Sequence, residues 1–163
     1  MRYAALESPV GPLLIAGNGR SITRLRFGGT PEEGWTEDRA AFAEAARQLE
    51  WYFAGRLREF NLELAPTGTP FQLAVWEELR RIPYGTTVSY GDLARKLGKS
   101  ARAARAVGLA NGANPIAILI PCHRVVGSAG QMTGFGGGVD VKRRLLALER
   151  GERLLAPAET SAG

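Results

Sequence analysis

The stretch Pro121-Cys122-His123-Arg124 sets the only cysteine of the chain beside its only histidine, at the end of the apolar run PIAILI. A free thiol titrates near pH 8.5 (approximately), so little of it is thiolate at neutral pH, and a nucleophilic role needs a base or a positive charge close by. His123 is the candidate base. In extended backbone, however, neighbouring side chains point to opposite faces. Contact between the two then requires either a local turn or a bridging water. The histidine in turn needs an orienting carboxylate.

No Asp or Glu occurs between Leu93 and Val139, so that carboxylate must come from farther along. Glu149 falls in the last turn of a final helix, where the helix dipole disfavours a negative charge by a few tenths of a kcal/mol (roughly). A carboxylate there is either held for use or is a solvated surface glutamate. Cys122 has its own plainer reading as a buried structural thiol. Being single, it can form no intramolecular disulfide and no multi-cysteine zinc site.

The elements that must position these residues fall into two lobes. RYAALE, LLIAG and SITRLRF read as a β-meander, with a tight type I′ turn predicted at Asn18-Gly19. A helix is predicted over 38–54, with Phe42, Leu49 and Phe53 inward, followed by a strand in EFNLEL. APTGTP at 65–70 is the linker. Beyond it, Thr69, Pro70 and Gln72 spell a capping box with proline at the first helical position. SYGDLARKL and ARAARAVGLAN, joined by a short glycine-containing turn, form a helix-turn-helix. PIAILI reads as a buried strand. A glycine-rich loop at 127–138 follows; GFGGGV does not match the dinucleotide pattern GxGxxG and reads as backbone turning closely around a pocket. The last helix starts near Asp140, with Val141, Leu145 and Leu148 inward and Lys142, Arg143 and Arg144 mostly outward.

The net charge is +5, unevenly placed. Residues 1–66 carry eight basic and nine acidic side chains, and residues 67–163 thirteen and seven. Arg95, Lys96, Lys99, Arg102, Arg105 and Arg124 lie in the stretch without acids, a pattern suited to a polyanion. The helix ARAARAVGLAN is thin, with Arg102 and Arg105 its only long polar side chains. Such a helix either approaches a narrow groove closely and inserts one arginine, or is simply packed against its neighbours. No apolar run reaches the ~20 residues of a membrane span, and the first residues do not read as a secretory signal, so a cytoplasmic location is expected.

PFQLAVWEELRRIPYGTTVSYGDLA, ARAVGLANGANPIAILIPCHRVVGSAG and GFGGGVDVKRRLLALE together resemble the O6-alkylguanine-DNA alkyltransferases, also called methylated-DNA–protein-cysteine methyltransferases. SPVGPLLIAG in the first lobe is similar as well. The resemblance implies an α/β protein with three parts. A small N-terminal ribonuclease H-like lobe spans 1–66. A C-terminal winged helix-turn-helix lobe spans 67–151. A flexible tail covers 152–163.

The resemblance further implies direct repair of double-stranded DNA containing O6-alkylguanine. Cys122 takes the alkyl group irreversibly, without cofactor or metal, in a monomeric protein that acts once. Cys122, a water, His123 and Glu149 form the activating relay, and Asn114 braces the turn beneath them. Tyr90 lies at the substrate base and contacts the flanking phosphate. Arg105 fills the gap left by the flipped nucleotide, with Arg102, Lys99 and Ser128 as further DNA contacts. A tyrosine common near the pocket in some members is Phe135 here. Alkyltransferase-like proteins, which bind lesions without a reactive cysteine, and winged-helix regulators are the competing readings; Cys122 argues against both.

Overall fold

The computed structural model describes residues 1–132 and 137–152. Three antiparallel strands open the chain: β1 (Arg2–Leu6), β2 (Leu13–Gly17) and β3 (Ile22–Phe27). A short β4 (Thr36–Glu37) adds to β1 in parallel, giving the order β3-β2-β1-β4. Every residue of β2 is buried, as befits the central strand, and α1 (Ala43–Phe53) packs its apolar side into the same core. Phe42, Leu49 and Phe53 are inward as expected, and Tyr52 is fully buried beside them.

Two first-lobe expectations need correction. The loop after β2 is not a type I′ turn, because only Gly19 has positive φ. Instead the Asn18 side chain accepts from the backbone N–H of Arg20 and Ser21 at 2.8 and 2.7 Å, a local bond that holds a longer loop. EFNLEL is not a strand. It meets the sheet only around Ile22, whose N–H donates to Glu63 O and whose carbonyl accepts from Ala65 N–H.

The second lobe begins with α2 (Pro70–Leu79) and the expected capping box. Thr69 Oγ1 accepts from Gln72 N–H at 3.1 Å, and Thr69 N–H donates to Gln72 Oε1 at 3.0 Å. Thr69→Ala is expected to cost about 1 kcal/mol of stability, read as a lower urea midpoint with unchanged slope. The helix-turn-helix is α3 (Tyr90–Lys96) and α4 (Ala104–Gly112), with a 3-10 turn at Ala101–Ala103 leading into α4. Trp76 Nε1 donates to Ala110 O at 2.8 Å and pins α2 to α4. Two short parallel strands, β5 (Val88–Ser89) and β6 (Val125–Val126), tie the start of α3 to the chain just after His123. Helix α5 (Val139–Glu149) closes the lobe.

PIAILI is not a strand either. Consecutive tight turns run through it: Leu119 N–H donates to Ala117 O, Ile120 N–H to Ile116 O and Cys122 N–H to Ile120 O. Ile118 sits at φ 69°, in the left-handed region that a β-branched residue adopts only under constraint. The constraint is visible on both sides. Leu25 of β3 exchanges backbone bonds with Pro115 and Ala117, and Asn114 clasps the turn from within. Every residue from Ile116 to Ile120 is buried, so the apolar run marks burial here and not a sheet partner. One continuous core joins the two lobes.

Lys142 also departs from expectation. It is fully buried and donates from Nζ to Val125 O at 2.6 Å, while Arg143 is exposed. Helical spacing places Lys142 between the inward Val141 and Leu145, and the main-chain carbonyl next to the site compensates part of the burial of its charge.

Candidate active site

Cys122, His123 and Arg124 form a single 3-10 turn, but the turn does not bring the thiol into a hydrogen bond with His123 Nδ1. Cys122 is 5 % exposed and His123 0 %. Asn114 holds the segment leading into this turn: its Nδ2 donates to Ile120 O at 2.8 Å and its Oδ1 accepts from Ile116 N–H at 3.0 Å. Asn111, buried in α4, adds a donor to Cys122 O at 3.3 Å.

Glu149 is no surface residue. It is 5 % exposed and lies at the end of α5 pointing into the seam between the lobes. His123 Nε2 approaches Glu149 Oε2 to 2.7 Å. Arg124 grips the same carboxylate in a fork, Nε to Oε1 at 2.8 Å and Nη2 to Oε2 at 3.0 Å, and spends Nη1 on Ile82 O at 2.7 Å. Tyr52 of α1 donates from its hydroxyl to Oε2 at 2.7 Å. Burial alone pushes the Glu149 pKa up. Hydrogen bonds and charge from His123 and Arg124 outweigh that and hold it far below the ordinary carboxylate range. Glu149 therefore stays ionised.

An ionised Glu149 decides the histidine tautomer. Nε2 must carry the proton that it donates, which leaves Nδ1 as the acceptor nitrogen. Nδ1 is buried and has no hydrogen-bond partner among the described residues, the thiol included. Burial lowers the His123 pKa, and Glu149 offsets only part of that. Burial raises the Cys122 thiol, against the opposing influence of the Asn114 side chain and the Lys142 charge. At rest the pair is a protonated thiol and a neutral imidazole, the state from which a base can take the thiol proton.

Cys122 opens on a cavity of about 360 Å³, lined among others by Asn111, Asn114, Leu25, Arg26 and Gly137. Gly137 comes from the glycine-rich loop, as a pocket-lining role predicts. Phe135 lies outside the described residues. Tyr90 is half-buried at the first turn of α3, outside this lining, with its ring against Gly108, where an added Cβ would stand 3.7 Å away. Lys99, Arg102 and Arg105 are exposed along the helix-turn-helix, and Ser128 is exposed in the turn after β6. None of the four is among the residues that line the Cys122 cavity.

Arg124 and Tyr52 are site residues that sequence reasoning missed. Arg124 had a signal, since it directly follows His123 and is followed by two buried valines. Tyr52 had none, because nothing in a helical pattern says which inward ring carries a hydroxyl to a carboxylate ninety-seven positions away.

A cysteine beside a carboxylate-anchored histidine, on a lobe whose helix-turn-helix exposes basic side chains, defines a DNA-directed cysteine nucleophile as the class. Comparison with known proteins narrows it. Residues 70–151 match the family model "6-O-methylguanine DNA methyltransferase, DNA binding domain", and residues 1–66 match "6-O-methylguanine DNA methyltransferase, ribonuclease-like domain". A methylated-DNA–protein-cysteine methyltransferase of Mycobacterium tuberculosis is 51% identical over 163 residues, covering 98% of this chain and 96% of the relative. One from Methanosarcina barkeri is 53% identical over 154 residues, covering 91% and 97%. The crystal structure of Mycobacterium tuberculosis OGT in complex with DNA superposes with a TM-score of 0.88 at 53% identity, covering 93% of this chain and 94% of that one. The chain belongs to the O6-methylguanine DNA methyltransferase family.

Proposed function

We propose that this chain repairs O6-alkylguanine in double-stranded DNA by moving the alkyl group to Cys122. The observation that carries the assignment is the single cysteine, set next to a histidine whose far nitrogen is fixed by an ionised carboxylate. The thiol proton passes to His123 Nδ1 through a bridging water, because the two are not directly bonded. Glu149 stabilises the imidazolium that results and takes no proton itself. The thiolate attacks the alkyl carbon. The S–C bond forms as the C–O6 bond breaks, and the guanine leaves with the electron pair. It is then protonated, so the proton lost by the thiol ends on the base. Tyr90 assists at the departing guanine, and Lys99, Arg102, Arg105 and Ser128 hold the duplex.

The product is a thioether with no route back to a thiol, so each molecule acts once and no cofactor is consumed. The chain divides functionally at residues 66 and 67, acts as a monomer, and works in the cytoplasm. No described helix is long and apolar enough to cross a membrane.

The test is intact-mass measurement after incubation with a duplex bearing one O6-methylguanine. The expected result is one added methyl group per protein, mapped to the peptide that holds Cys122, with no turnover as DNA is increased. Release of more than one equivalent of repaired base, or a label on another residue, would overturn the assignment.

A further inference from the structure

A side chain of the first lobe bonds the carboxylate of the relay. Tyr52, fully buried on α1, donates its hydroxyl to Glu149 Oε2 at 2.7 Å, and His123 Nε2 donates to that same oxygen at 2.7 Å. The carboxylate does not need the phenol to stay in place, since the Arg124 fork already holds both of its oxygens. What the phenol adds is a second competitor, beside Arg124 Nη2 at 3.0 Å, for the lone pairs and the negative charge of the oxygen that the imidazole bonds.

We infer that Tyr52 is a positioning residue, acting through Glu149, that limits how strongly the carboxylate supports a proton on His123. The inference rests on the proposed reading of Cys122 and His123 as thiol and base.

A hydrogen bond donated to a carboxylate stabilises its charge and leaves less of that charge for its other partner. Burial, and then Glu149 itself, push the Tyr52 phenol well up from its ordinary value, so it remains a donor wherever the protein is folded and active. Other charged and titratable groups face the pair: Arg124 on the same carboxylate, Lys142 from α5, and Tyr84 from the turn after α2, with Arg58 acting on Tyr84. All remain in Tyr52→Phe, which removes one hydroxyl and keeps the ring contacts with Phe53, Phe60 and Tyr84.

The consequence for rate has a definite sign. With the phenol gone, Glu149 supports the imidazolium more strongly and His123 titrates at higher pH. The fraction of thiolate–imidazolium pair formed from the neutral pair rises by the same factor. In single-turnover transfer, the acid limb of the pH profile therefore moves up while the plateau rises. At pH values below the limb the two effects cancel and the rates coincide.

Because the chain holds one histidine, its titration is directly readable by NMR. Tyr52→Phe is expected to raise the His123 midpoint by about half a unit and the plateau rate by about threefold, the size of one shared hydrogen bond to a charged group. In a Glu149→Gln background, where the oxygen carries no charge, the same substitution is expected to leave the midpoint within about 0.1 unit. Replacing tyrosines with 3-fluorotyrosine, a stronger donor of nearly equal size, is expected to move the midpoint down, and this shift must vanish in Tyr52→Phe; if that variant does not fold, the fluorinated protein decides alone. An unmoved or lowered midpoint in Tyr52→Phe overturns the inference, as does a uniform loss of rate at every pH with no change of midpoint. Failure of the wild-type chain to take up alkyl would instead defeat the underlying reading of Cys122.

Discussion

Glu149→Gln will slow alkyl transfer by about two to four orders of magnitude, the usual worth of a working general base and its support, and will leave lesion binding close to wild type. The amide is nearly the same size, and the partners of Glu149 are Tyr52, Gly85, His123 and Arg124, not the exposed Lys99, Arg102 or Arg105. What changes is the charge. His123 Nε2 loses the anion that fixes its tautomer and stabilises its protonated form. Arg124 loses both ionic bonds while remaining 7 % exposed, and leaving one partner of a buried pair uncompensated costs about 3 kcal/mol or more. Single-turnover rates, binding to a lesion duplex by the reaction-dead protein, and urea unfolding separate the three effects. A transfer rate within about threefold of wild type would remove Glu149 from the relay.

The same substitution reshapes stability against pH, and its sign follows from two lowered pKa values. Glu149 is lowered in the fold, so its contribution is fully present above the ordinary carboxylate value of about 4.3 and is lost as pH falls toward its folded value. His123 is lowered too, so below about pH 6.5 the unfolded chain binds its proton before the folded chain does, and stability falls from there downward. In Glu149→Gln the loss below about pH 4.3 flattens. The loss below about pH 6.5 deepens, because His123 has lost the partner that raised its pKa. Urea midpoints followed from neutrality to below about pH 4 measure both. A wild-type curve that is flat from neutrality to pH 4 would contradict the buried, neutral histidine.

The helical parts of the fold were legible because they announce themselves locally. Thr69-Pro70 with Gln72, and Ser89 with Asp92, are capping boxes whose two reciprocal bonds are both present. Segments whose conformation is set by distant contacts were not legible. PIAILI has the composition of a strand, but its backbone is bent by Asn114, by Leu25 of the other lobe and by a left-handed Ile118, none of which a period of two can express. EFNLEL fails in the same way, since alternation marks a buried face without saying whether a sheet partner runs alongside. Lys142 was misplaced because a lysine on a helix is ordinarily solvated, and only the tertiary fold reveals the Val125 carbonyl that receives its charge. The pairing of Cys122 with His123 is plain in the sequence, whereas Glu149 stays open there between a held carboxylate and a solvated one, and only the fold shows it buried against His123. The carboxylate's other holders, Arg124 and Tyr52, come from a neighbouring residue and another lobe.

Arg105→Ala will slow repair of duplex O6-methylguanine by about thirtyfold while changing the reaction with free O6-benzylguanine by less than about threefold. Unstacking a nucleotide costs a few kcal/mol, least for a damaged base, and a side chain placed in the vacated stack offsets part of it. Recovering about 2 kcal/mol in this way corresponds to the thirtyfold factor. The structure gives Arg105 the freedom such a role needs. It is exposed in the first turn of α4, forms no ion pair with any described residue, and is flanked by Ala103, Ala104 and Ala106, which leave the helix narrow. Arg105 also carries a charge, and losing a phosphate contact weakens binding to every duplex, lowering the salt slope by about one. That loss acts on binding, whereas a lost wedge acts on the rate at saturating duplex. The free base bypasses both, since it enters the Cys122 cavity without being unstacked. Equal losses on duplex and free base would instead place Arg105 in the support of the pocket, and a loss confined to duplex affinity would reduce it to a phosphate contact.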